Sequence, residues 1–150
     1  MVCPAKYNRQ NGFSLIEVLM VIALLVIFAS VIGPVYRTVQ SKNNLEVATA
    51  GAATALRRAQ ASAESGNADA NWGVKLSSAS IIVFAGNSYA SRQSAYDEKL
   101  DMPGAIQVSG NTEIIFNKFA GIPQTTGTTT ITNAFGSKNL ILNAQGTVNY

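Results

Sequence analysis

Residues 13–36 read FSLIEVLMVIALLVIFASVIGPVY, and this stretch decides the fold. It holds a single charge, Glu17, and from Val18 to Ile32 nothing is more polar than Ser30. A helix over these 24 residues would reach about 36 Å, enough to cross a hydrocarbon core of about 30 Å with some tilt. Lys6 and Arg9 stand on its N-terminal side. The positive-inside rule therefore predicts the first residues in the cytoplasm and everything after Tyr36 outside it. A secretory signal peptide would have a shorter apolar run, about 7–15 residues, ended by a small-x-small cleavage site. Here Val31 and Ile32 carry the run on past Ala29 and Ser30. Neither that reading nor a plain membrane anchor accounts for Glu17. An unpaired carboxylate in lipid costs on the order of 2.5–3.5 kcal/mol, so this one is expected to need a partner.

The composition closes off most alternatives. Among 150 residues, 47% are apolar and 13% charged, a balance that favours a packed core over a disordered chain. Eleven basic against eight acidic residues give a net +3, and loss of Lys6 and Arg9 would leave +1. That is too little to call for a polyanionic partner. With no histidine, His-based acid–base catalysis, Ser–His–Asp and Cys–His arrangements and histidine-bound metals are excluded. Cys3 is the one cysteine, so no intrachain disulfide and no cysteine metal site can form. No catalytic residue, cofactor or metal is expected.

The string Gly12-Phe13-Ser14-Leu15-Ile16-Glu17-Val18-Leu19 resembles the cleavage and methylation signal of type IV prepilins and type II secretion pseudopilins. The resemblance combines a short basic leader, a glycine, an aromatic residue, a glutamate five positions into the mature chain and a long apolar helix. It implies that a membrane aspartyl protease, the prepilin peptidase, cuts between Gly12 and Phe13 and N-methylates the new amino terminus of Phe13. It also implies that Glu17 neutralises the terminal amine of a neighbouring subunit and sets the axial register of a filament. Elementary chemistry agrees with each role. Gly12 admits an extended backbone to a protease cleft without a side chain in the way. Cleavage creates an α-amino cation at the membrane face, which a Glu17 on an adjacent helix could pair with.

Gly33-Pro34 falls inside the helical stretch. Proline removes a backbone hydrogen bond and clashes with the preceding turn, so a kink or local unwinding at Pro34 is expected, with a helix end as the alternative. Pilins carry a proline at this place. Beyond it, Leu45, Ala48, Ala52, Leu56, Ala59 and Ala63 recur at steps of three or four, with Glu46, Arg57 and Glu64 off the stripe. One helix from Phe13 to Glu64 would be about 78 Å long. Ser65-Gly66-Asn67 reads as its stop. The divisions expected are a cytoplasmic leader over 1–12, a transmembrane and assembly helix over 13–36, an amphipathic half over 37–65 and a β-rich head over 66–150.

In the head, candidate strands are Val74–Leu76, Ser80–Phe84, Ile106–Val108, Glu113–Phe119, Thr128–Thr132, Leu140–Asn143 and Thr147–Asn149. Ile106–Phe119 reads as a hairpin about Gly110-Asn111, and Leu140–Tyr150 as another with Gly146. The fold class is α+β, a long N-terminal helix packed on an antiparallel β head. The segment Ile114-Ile115-Phe116-Asn117-Lys118-Phe119-Ala120-Gly121-Ile122-Pro123 with the final hairpin is similar to GspH/FimT-type minor pseudopilins. Asp97, Glu98 and Asp101 read as a solvated loop around Lys99 rather than a calcium loop. The tail from Asn143 to Tyr150 has no positive charge. Nucleic acid is thus not expected as a partner, although a DNA-uptake pilin stays open as an alternative. A secreted β domain with an atypical signal peptide is the other. The resemblance implies other pilin or pseudopilin subunits, the prepilin peptidase, an inner-membrane assembly platform and lipid as partners. It implies a single-pass inner-membrane precursor with its head outside the cytoplasm, and then a filament in the periplasm or at the cell surface.

Overall fold

The computed structural model describes residues 12–150, apart from the side chains at 31–34. The leader expected over 1–12, Gly12 aside, lies outside the described residues, as does the side chain of Pro34. The described chain is α+β, one long helix followed by antiparallel strands. It divides into two compact units, one ending at Arg37 and one running Thr38–Tyr150.

Helix α1 spans Leu15–Glu64, two residues shorter at its start than the expected Phe13–Glu64. It passes Gly33-Pro34 without ending, so Pro34 is not a helix terminator. In the first unit its large apolar side chains from Leu15 to Phe28 are exposed, and the helix is long and apolar enough to cross a membrane. Ser30 satisfies its own hydroxyl by donating to the Ile27 carbonyl at 2.7 Å, which makes it tolerable in an apolar setting.

In the second unit the stripe Leu45, Ala48, Ala52, Leu56, Ala59 and Ala63 is buried throughout, as its spacing requires. Alanine favours the helix and lets strands approach its axis closely. The helix stops where expected. Gly66 takes the left-handed conformation (φ 67°), its N–H donates to the Ala63 carbonyl at 3.1 Å, and the Phe119 N–H reaches the same carbonyl at 2.8 Å.

The strands are β1 Trp72–Leu76, β2 Ser80–Ala85, β3 Gln93–Asp101, β4 Gln107–Gly110, β5 Glu113–Phe116, β6 Gly127–Asn133, β7 Gly136–Leu142 and β8 Val148–Asn149. They form two antiparallel sheets, ordered β3-β2-β1-β5 and β4-β6-β7-β8. Both lie on α1 within this unit. Arg58 of the helix pairs with Glu98 of the first sheet at 2.7 Å, and Glu46 with Lys138 of the second at 2.5 Å. Val74, Leu76, Ile114 and Phe116 from one sheet and Ile131, Leu140 and Leu142 from the other join the alanine stripe in one core. The final hairpin holds, with Ile141 opposite Asn149 and Leu142 opposite Val148.

Two expectations are corrected here. Ile106–Phe119 is not a hairpin, because β4 pairs with β6 and β5 with β1. The chain crosses between sheets at Asn111-Thr112: the Asn111 N–H donates to Thr128, while the Thr112 carbonyl accepts from Leu76. Gly110 supplies the positive φ of 86° that a hairpin turn would also use, so the glycine signal is the same for both routes. The stretch holding Asp97, Glu98 and Asp101 is not a loop but the edge strand β3. Charges depress strand propensity, yet on a sheet edge they guard the open backbone groups against pairing with another chain.

Candidate processing and assembly site

Gly12, Phe13 and Ser14 precede α1 in extended or irregular backbone. A Cβ placed on Gly12 would meet nothing within 4 Å, and the Phe13 side chain is 83% exposed. Among the described residues nothing crowds the bond between them. Ser14 closes the helix end. Its hydroxyl oxygen accepts the Glu17 N–H at 3.3 Å, and its carbonyl accepts the N–H groups of Glu17 and Val18 at 3.1 and 3.2 Å. Ser14 is thus an N-cap and Glu17 stands three residues inside it, the Ser-x-x-Glu spacing of a capping box. The sequence reading missed Ser14. The spacing Ser14-Leu15-Ile16-Glu17 directly before an apolar run was the signal that could have found it.

Phe13 and Glu17 are brought together. With Val18, Val21 and Ile22 they line one shallow groove along the helix. Pro34 is not part of this cluster, since it lies much further along α1. Glu17 is the acidic residue of the first helical turn, where the positive end of the helix dipole favours a carboxylate by about 0.3–1 kcal/mol. That offsets only part of the roughly 2.5–3.5 kcal/mol cost of a carboxylate in lipid. In lipid, the rest of that cost would call for a cation.

The other candidate groups are dispersed. Asp97 accepts from Arg92 Nε at 2.7 Å, Glu98 meets Arg58, and Asp101 meets Lys99 at 3.0 Å. The Asp97 hydrogen bond, with its charge, holds the Arg92 guanidinium above its ordinary pKa. Lys75 pairs with Glu113 at 3.3 Å, and the Arg57 guanidinium carbon sits 6.0 Å from the Tyr150 ring centre. Arg57, Arg58 and Lys75 thus face three different partners and make no single basic surface.

Compared with known proteins, residues 7–33 match the family model described as the prokaryotic N-terminal methylation motif. No curated protein and no solved structure matches the chain. The match supports a prepilin signal of the type IV pilin kind, and such a signal implies processing by a prepilin peptidase and assembly with other pilin subunits. The apolar helix behind it suggests membrane anchoring.

Proposed function

We propose that this chain is a minor pilin or pseudopilin precursor that polymerises through α1 into a type IV pilus or a type II secretion pseudopilus. The prepilin peptidase cuts between Gly12 and Phe13 and methylates the Phe13 amine. Glu17 then pairs with the amine of a neighbouring subunit and fixes the register of helix against helix. Pro34 supplies a kink or a local unwinding within the assembled helix. The observation that carries this reading is the Phe13–Glu17 pair at the start of an exposed apolar helix, within the segment that matches the methylation motif. The function is structural: the helix assembles and the β head faces outward.

The test is the intact mass and the first residue of the protein extracted from membranes of its own cells. A chain beginning at N-methylated Phe13 is expected. A chain beginning beyond Ser30 would mean an ordinary secreted domain and would overturn the reading.

A further inference from the structure

The head carries a cleft of about 460 Å³ that shares no lining residue with the groove of Phe13 and Glu17. Its polar lining is Asp69, Asn71, Asn87, Ser91, Gln93 and Lys118. The volume lies in the range of small-molecule sites, but the walls are carboxamides, a hydroxyl and one opposed charge pair instead of apolar side chains.

Three features indicate that this cleft is built. Asn71 ties its walls together: its Nδ2 donates to Asn87 Oδ1 at 2.7 Å, its Oδ1 accepts the Lys118 N–H at 2.7 Å, and its carbonyl accepts the Gly86 N–H at 2.7 Å. Strain gathers around it. Of the four non-glycine residues with positive φ among the described residues, three flank the cleft: Ala68 and Asp69 at 56° and 52°, and Phe119 at 64° beside Lys118. Such conformations cost free energy and collect at ligand sites. Finally, Asp69 and Lys118 are ion-paired, so the lining contributes no net charge.

We infer that this cleft binds a neutral saccharide. The Asn87 amide nitrogen and the Gln93 carboxamide, which the bonds of Asn71 leave open, offer donors and an acceptor that match vicinal hydroxyls. The cancelled charge of Asp69 and Lys118 gives no preference to an anion or a cation.

Trp72 provides the readout. It is the chain's single tryptophan, it follows Asn71 directly, and its indole N–H donates to the Asn67 carbonyl at 2.8 Å. The full-length protein in a non-glycosidic detergent is titrated with maltotriose, cellotriose and triacetylchitotriose, with glycylglycine as a zwitterion and sulfate as an anion. A saturable change in Trp72 fluorescence with at least one trisaccharide is expected. It should be unmoved by raising sodium chloride from about 50 to about 500 mM, because no charge attraction is involved. The double variant Asn87→Ala, Gln93→Ala removes exposed groups on two different segments. It should weaken binding about tenfold or more with an unchanged circular dichroism spectrum. No saturation with any trisaccharide, saturation with glycylglycine or sulfate alone, or equal affinity in the double variant would each overturn the inference.

Discussion

The ring of Phe119 lies over Gly66 so closely that a Cβ on the glycine would fall 2.5 Å from the ring's Cε1. Gly66 also holds φ at 67°, so two independent constraints fall on the residue that ends α1. Gly66→Ala is expected to destabilise the head by about 1–3 kcal/mol, read as a lower urea midpoint followed by Trp72 fluorescence. Adding Phe119→Ala should recover the part due to the clash and leave the part due to φ. A Gly66→Ala protein as stable as the parent would remove the argument.

Leu56 and Val47 lie on the same helix but meet different surroundings. Leu56 is wholly buried between the sheets, whereas Val47 is 54% exposed. Leu56→Ala should cost about 2–5 kcal/mol, including the cavity it leaves, while Val47→Ala should stay within about 0.5 kcal/mol. Thermal unfolding of both variants beside the parent tests the contrast.

Processing and assembly should separate genetically. Gly12→Val puts a branched side chain at the proposed cut and should leave the precursor uncleaved, seen as a mass heavier by the leader. Glu17→Ala should be cleaved and inserted normally, yet enter filaments about tenfold less or worse, because the neighbour's amine loses its counter-charge. Normal incorporation of Glu17→Ala in sheared filament fractions would remove the register role.

Edge strand β3 should depend on its charges for solubility. Replacing Lys99 and Asp101, which pair with each other on the exposed edge, by threonine leaves β propensity high and removes the charge. Light scattering of the purified protein should rise while its unfolding free energy changes by less than about 1 kcal/mol. An unchanged scattering profile would assign the charges no protective role.

Much of this molecule was legible in the sequence because its strongest patterns are local. The apolar run, the i, i+3, i+4 alanine stripe and the Ser65-Gly66-Asn67 stop each follow from spacing within one element, and α1 follows them. What failed depended on contacts distant in sequence. Ile106–Val108 and Ile114–Phe116 alternate equally well, and nothing local says that Gln107 and Val108 will pair with Thr132 and Ile131 and the other segment with Trp72–Val74. Asp97–Asp101 looks like a loop because its neighbour Ser80–Ala85, which makes it a strand, is elsewhere in the chain. The cleft at Asn71 was invisible for the same reason, since Lys118 reaches it from 47 residues away.

The bond from Asn133 Nδ2 to the Ser41 carbonyl spans 92 residues, and Lys138 reaches back to Glu46 over a similar distance. The alanine stripe is made before either sheet in chain order, yet β6, β7 and β8 of the second sheet that covers it come last. Closing so long a loop is entropically costly, so the stripe waits uncovered until the C-terminal strands arrive. In a chain made from its N-terminus, the head therefore matures late. A truncation before Gly136 would leave a sticky, half-clothed helix for the cell's quality control to remove.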